Sequence, residues 1–461
     1  MIFGLGRKNF DFCIGSFVVL FSLFAALMFL FNAPLSTPDE EGHFGKAYAL
    51  TQGQILPHAK KISATKKSYG FDLPKSLSTL FSFYKEFYYS EKAEEAKYRY
   101  IDMLKGSYNS KKLSFFDTAT ISFYHPVLFL PTSLGIFVGK FFTNSILIQY
   151  YVARFFNTLF YFLFCLLSLF FFPSLKGKWI LMVLMLNPMA LFLATSTHTD
   201  AAINAVAFFF FSFILRMRSR KKVSNSELLL AGILLIISFL MKQTGLFLGF
   251  LFFLIPNAKF SVKRKIIWGV GILLTAAGLY LLWDLQMPKM DIRYQDFTQP
   301  SLQTQFVMKH PTLFLKNIFQ NFILGKKILS ITNSFLYYIS WYWQILYFLL
   351  LLFTILYSSA DKLYFLLIDK IILLITALSF TFFTFLALYI TYNPVGRMDD
   401  IAGIQGRYFI AISPVFAFLL NSRKQILKIS EKQVRNILVP TLSLILIMSI
   451  YTMINYYGVL K

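Results

Sequence analysis

The sequence predicts an all-α polytopic membrane protein with about eleven transmembrane helices and a large first extracytoplasmic loop containing amphipathic helices. Three observations carry that expectation. Of 461 residues, 57% are hydrophobic and 14% charged, where a soluble globular chain carries roughly 25% charge. Uncharged stretches long enough to cross a bilayer recur along the chain. Lys and Arg outnumber Asp and Glu by 45 to 21, and many of them cluster in short connections between those stretches. This composition excludes a soluble enzyme, a disordered chain and a disulfide scaffold. The net charge of +24 reads as anchoring to anionic membrane lipids, with no nucleic acid partner. Cys13 and Cys165 sit in apolar runs and show no zinc-binding spacing.

The first run, 12–33, follows Arg7 and Lys8 and is too long for a signal peptide core, so it reads as a retained anchor. Further spans are expected at 155–172, 179–197, 201–215, 228–241, 243–256, 266–283, within 328–360, and at 371–396, 408–422 and 436–460. Segment 121–142 is long enough but carries Pro126, Pro131, Gly135 and Gly139. Charge decides its role. With 121–142 as a juxtamembrane or re-entrant helix, the basic cluster from Arg216 to Lys222 falls inside. So do Lys176 and Lys178, Lys259 to Lys265, and Arg423 to Arg435.

The resulting organisation is a first transmembrane helix in 1–33, an outer loop in 34–149 and helices 2–7 in 150–285. A second outer segment follows in 286–327, with helices 8–11 in 328–461. The N-terminus lies inside, and all five histidines (His43, His58, His125, His198, His310) lie outside. In the first loop, Leu77, Leu80, Phe81, Tyr84, Phe87 and Tyr88 recur at helical spacing, which fits a helix lying on the membrane or against a small domain. Glu91 to Arg99 reads as a solvated helix face.

Chemistry concentrates where charge is expensive. Pro38-Asp39-Glu40-Glu41-Gly42-His43 follows the first span directly. Asp39 can cap the helix starting there. Alternatively, Asp39 or Glu40 acts as a general base, since desolvation and acidic neighbours raise a carboxylate's proton affinity. His198 and Asp200 stand between two spans, where Asp200 can also cap. Arg154, Lys242 and Arg407 stand at span edges, the last after Asp399 and Asp400. Acids activate a hydroxyl, and Arg or Lys holds a phosphate. No Walker or dinucleotide motif is present, so the phosphate belongs to a lipid-linked donor.

The stretch PDEEGHFGKAYALTQGQI resembles the signature of the bacterial DUF2142 membrane family, Pro-Asp-Glu, two residues, then His. The resemblance continues through Tyr124-His125-Pro126, similar to the Y-H-P-P-L of GT-C glycosyltransferases, and through Arg154. It also takes in Asn187-Pro188 with Ser196 and Asp200, the Lys242 segment and Gln405-Gly406-Arg407-Tyr408-Phe409. Val127 replaces the second Pro of that motif, and Glu41 stands where the family more often has Pro.

The resemblance implies a GT-C-like fold taking a sugar from a polyprenyl-phosphate-linked donor, with Asp39 as catalytic acid residue and Asp200 as the second acidic position. The expected activity is inverting transfer to a cell-envelope glycan or lipid-linked acceptor at the bacterial cytoplasmic membrane. His43, Tyr124, His125, Arg154, His198, Asp200, Lys242, Gln405, Arg407 and Tyr408 would bind substrate. If a divalent ion such as Mg or Mn is used, Asp39 and Asp200 are its candidate ligands. The rival readings are a lipid-linked polysaccharide polymerase or ligase and a glycan flippase. A tag inserted just after Ala33 is expected to react with an impermeant label in intact spheroplasts; protection there would overturn this topology.

Overall fold

The computed structural model describes residues 11–32, 34–61, 67–89, 112–288, 298–324, 329–332, 339–359, 363–398, 401–424 and 426–457. Glu91 to Arg99, Asp399 and Asp400, singled out above, lie outside the described residues. The chain is mostly helical. Helix α1 (Phe12–Phe31) starts on Asp11, whose carboxylate accepts the Ile14 N–H at 3.2 Å. Helix α2 (Glu40–Leu50) follows, then strands β1 (His58–Lys61) and β2 (Lys67–Pro74), helix α3 (Lys75–Tyr89) and strand β3 (Leu113–Asp117).

The strands form a three-stranded antiparallel sheet in the order β1-β2-β3, an addition to the all-α expectation. Phe71 and Leu73 of β2 alternate into the core, and Gly70 crosses β3 so closely that a Cβ would stand 1.9 Å from the Phe116 carbonyl oxygen. The apolar face of α3 packs on this unit. Leu77, Leu80 and Phe81 are buried, with Phe81 tilted against Phe116 at 4.8 Å between ring centres and edge-on to Phe44 of α2. The side chains of Tyr84, Phe87 and Tyr88 are outside the described set.

Segment 121–142 is broken, as its prolines require. Two 3-10 turns (Ala119–Phe123 and Pro126–Phe129) lead into α4 (Leu130–Phe142), 13 residues long and too short to cross. Helix α4 packs along α5 (Ile146–Phe171), with Gly135 set against the Ala153 backbone. Helices α6 (Leu175–Met185) and α7 (Pro188–Ala194) meet at a 65° bend. Asn187 makes the break by accepting the N–H groups of Met189 and Ala190, while Pro188 takes the first helical position.

Helix α8 (Asp200–Ser219) runs through the centre, buried on nearly every face. Helix α9 (Asn225–Met241) opens on a Ser224–Glu227 capping box. A 3-10 segment (Gln243–Leu254) and α10 (Val262–Gln286) complete this layer. The remainder comprises α11 (Pro300–Lys309), α12 (Pro311–Phe319), α13 (Trp341–Tyr357), α14 (Leu367–Tyr392), a 3-10 turn (Gly406–Phe409), α15 (Ser413–Leu419) and α16 (Glu431–Tyr457).

Among the described residues, six helices are long and apolar enough to cross a membrane: α1, α5, α8, α10, α14 and α16. The bent pair α6–α7 makes a seventh if it counts as one span. The four other expected spans fall on shorter elements. Helices α9 and α13 have 17 residues each, about 25 Å of helix against a hydrocarbon core near 30 Å. Run 243–256 is wound as 3-10 helix over 12 residues, and run 408–422 contains only the 3-10 turn and the seven-residue α15.

A Cβ at Gly135 would approach the Ala153 Cα to 2.6 Å, whereas one at Gly269 meets nothing within 4 Å. Gly135→Val is therefore expected to cost roughly 1–3 kcal/mol and lower the thermal midpoint in detergent, with Gly269→Ala leaving it unchanged or raised.

Candidate active site

Helix α5 builds the frame with four polar side chains at helical spacing, Tyr150, Arg154, Asn157 and Thr158. Arg154 is fully buried, and its three nitrogens each donate to a main-chain carbonyl: Nε to Thr195 at 2.6 Å, Nη1 to Asn32 at 3.0 Å and Nη2 to Phe29 at 3.2 Å. Asn157 donates to the carbonyls of Ser196 (2.8 Å) and His198 (3.2 Å), and Thr158 donates to that of Ala194 (2.9 Å). The end of α1 and the loop after α7 are thereby held on one helix.

Glu40 serves the opposite groups. Its Oε1 accepts from the Tyr150 hydroxyl at 2.7 Å, the Thr197 N–H at 2.7 Å and the Thr197 hydroxyl at 3.0 Å. Its Oε2 accepts from the Thr37 N–H at 3.1 Å and from the Thr37 hydroxyl. With 1% of its surface exposed and both carboxylate oxygens engaged, Glu40 is held by the scaffold and does not line the cavity described next. Arg154 is held likewise: each of its three nitrogens donates to main chain, and it does not line the cavity.

That cavity, about 670 Å³, lies between α2, the Phe123–Tyr124 bend, the start of α8 and α10 on one side and α14 with the Arg407 turn on the other. Its charged end gathers Asp39, His43, His198, Asp200, Lys242, Arg407 and Tyr408. Asp39 stands just before α2 at φ 61° and ψ 8° and makes no side-chain cap, which corrects the capping reading. Left-handed backbone is a cost that Asp tolerates better than most residues. In this conformation its side chain is 64% exposed, with Oδ2 3.6 Å from Arg407 Nη2. Asp200 is the first residue of α8 rather than its cap, and its Oδ2 stands 3.4 Å from Arg407 Nε.

Arg407 Nη1 lies 3.0 Å from His198 Nε2, and since a guanidinium only donates, that nitrogen accepts. The rings of His43 and His198 are 4.5 Å apart, and the Thr199 hydroxyl is 3.3 Å from His43 Nδ1. Burial pushes both imidazoles well below their usual range, helped at His43 by His198 and at His198 by the Arg407 guanidinium. Lys242, at the joint between α9 and the 3-10 segment, places Nζ 4.1 Å from the Tyr408 ring centre. Asp200 Oδ2 and Arg407 Nε are buried without a hydrogen-bond partner, although each faces the other's charge. A bound water, ion or ligand group would supply the missing partner.

The structure thus brings eight of the expected residues onto one cavity: Asp39, His43, Tyr124, His198, Asp200, Lys242, Arg407 and Tyr408. Glu40, His125, Arg154 and Gln405 are not among its lining residues. His125 accepts the Val127 N–H at 3.3 Å and packs edge-on to Trp283, and the Gln405 carbonyl accepts the Tyr408 N–H at 3.2 Å. Both act on the wall from behind.

Lys46, which the sequence reading passed over, is fully buried. Its ammonium donates to the carbonyls of Ser122 and Tyr124 and faces the rings of Phe129 and Trp283 at 5.3 and 5.1 Å. A lysine among Phe44, Ala47 and Tyr48 was the available signal. Among the described residues, no three His, Cys, Asp or Glu side chains converge as a metal-ligand set. Asp39 and Asp200, the candidate ligands, both face the Arg407 guanidinium, so the residues as arranged do not fit a metal centre.

Long apolar helices around an internal cavity, charged at one end, define a multi-pass helical membrane protein. The chain belongs to the DUF2142 family of predicted membrane proteins, whose pattern matches residues 21–416. No curated protein and no solved structure matches it.

Burial pushes the Lys46 ammonium down to about 7 from its ordinary 10.5. Between those values the folded chain holds fewer protons than the unfolded one, so stability rises with pH across that window and is flat below it. Thermal unfolding from pH 6 to 10 is expected to show this slope in the wild type and to lack it in Lys46→Met. Identical slopes in the two proteins would refute the assignment.

Proposed function

We propose that this protein is an integral-membrane glycosyltransferase moving a sugar from a polyprenyl-phosphate-linked donor to a cell-envelope glycan on the extracytoplasmic face. The observation that supports the reading most directly is the two-sided cavity. One end holds a forward-facing carboxylate, Asp39, opposite the cations Arg407 and Lys242. The other is walled by Phe239, Phe247, Phe383, Leu386 and Ile390, matching a substrate that is phosphate at one end and hydrocarbon at the other.

In this mechanism Asp39 takes the proton of the acceptor hydroxyl as its oxygen attacks the sugar C1. The bond from C1 to the phosphate oxygen breaks in the same displacement, which inverts the anomeric centre. The electron pair leaves with the lipid phosphate, where Arg407 and Lys242 stabilise the developing charge. Asp200 holds the guanidinium from its Nε side, and His198 holds it from Nη1. His43 and Tyr408 complete the walls around the reacting atoms. The eleven-span topology with the N-terminus inside belongs to the same reading, because it puts Asp39, Asp200, Lys242 and Arg407 at one outer level. The shorter elements α9, α13, 243–254 and 406–419 then cross as bent or paired segments.

The test is transfer in proteoliposomes supplied with a radiolabelled polyprenyl-phosphate-linked sugar and envelope glycan extract. Asp39→Asn is expected to lose between about 10² and 10⁴ of the rate while keeping the wild-type thermal midpoint. Full activity in that variant would remove the mechanism. Activity lost in Asp39→Ala but retained in Asp39→Asn would assign Asp39 a backbone role instead.

A further inference from the structure

We infer that the last two turns of α10, together with Tyr124, form the binding subsite for the acceptor, and that this subsite takes a neutral sugar ring. The inference deepens the transfer reading above and rests on it for the word acceptor. Tyr280, Trp283, Asp284 and Met287 fall on one helical face, and all four line the cavity. None belongs to the charged end.

This wall is unusually well fixed. Three successive carbonyls, those of Ser122, Phe123 and Tyr124, each accept from a side chain of another element. Lys46 of α2 supplies the first and third, and the Trp283 indole N–H supplies the second at 2.9 Å. Lys46 covers the Trp283 ring and His125 packs against it, so Trp283 is a buttress rather than a platform. Tyr124 lines the cavity at 38% exposure, with its carbonyl clamped by Lys46. Asp284 is exposed, and among the described residues it forms no ion pair.

The chemistry selects the ligand. A carboxylate repels a phosphate, and Lys46, the cation packed behind Trp283, is turned to main-chain carbonyls. An isoprenoid tail gains nothing from Asp284. A sugar ring offers both matching surfaces: a C–H face to lie on a tyrosine ring and hydroxyls to donate to a carboxylate. The subsite adjoins the apolar wall at Tyr280, which packs edge-on to Phe239 with ring centres 5.8 Å apart.

Saturation-transfer NMR on the full chain in lipid nanodiscs tests this without any donor, using the methyl glycosides of glucose, galactose and N-acetylglucosamine as probes. The wild type and Gly269→Ala, a change outside the cavity, are expected to saturate the ring protons of at least one glycoside equally. Asp284→Asn and Tyr124→Ala, checked for wild-type thermal midpoints, are expected to bind it at least tenfold more weakly. No saturation in the wild type, or unchanged binding in both wall variants, would overturn the subsite. Glycoside binding that is lost in the wall variants, in a protein that fails the transfer assay, would uphold the subsite and refute the transfer reading.

Discussion

The structure depends on how buried helix ends are satisfied where no water reaches them. A helix leaves carbonyls without partners at its C-terminus, and in an apolar interior each unpaired group is costly. Arg154 answers this for two chain segments at once, donating to Phe29 and Asn32 at the end of α1 and to Thr195 after α7. Asn157 and Thr158 extend the same service along the loop to His198. Glu40 provides the complementary acceptor, linked to Arg154's helix through Tyr150, whose hydroxyl donates to Glu40 and accepts from Leu35. Charges of opposite sign, each held by several hydrogen bonds, thus hold the two loops that carry Asp39 and Asp200.

Saturation also separates scaffold from chemistry. Glu40 and Asp39 are neighbours in sequence with the same functional group. One has every acceptor direction taken, while the other projects from left-handed backbone into a cavity. Arg154 and Arg407 form a second such pair. The first is engaged with main chain; the second faces two carboxylates beyond good hydrogen-bond distance and one imidazole nitrogen within it. A charged group held by fixed main-chain partners loses free energy if it turns to a substrate, because the carbonyls it leaves stay unpaired. A group whose pairing is incomplete gains by accepting a new partner.

Much of this was legible in the sequence. The apolar runs marked the seven elements, counting the bent pair as one, that are long and apolar enough to cross a membrane, and eight of the polar and charged residues singled out converge on one cavity. The distribution of basic residues kept 121–142 from being read as a span, and the structure breaks it into 3-10 turns and a 13-residue helix. The small sheet was missed because its strands are short, with alternation limited to residues such as Tyr69, Phe71 and Leu73. The 3-10 winding of 243–254 left no trace in composition, since its residues are as apolar as those of a long helix. Lys46 was hidden in an unremarkable helix because only its neighbours from elsewhere in the chain make it costly.

Membrane residence is a summed local property. Each residue's transfer free energy adds along a run, so 461 letters determine that the chain is a multi-pass membrane protein and where its expensive charges stand. Which of those charges are free to act is a property of partners. Glu40 is closed by Thr197 and Tyr150, Arg154 by Phe29, Asn32 and Thr195, and Arg407 is turned toward Asp39, Asp200 and His198. Those pairings join residues far apart in the chain, and only tertiary packing brings them within reach.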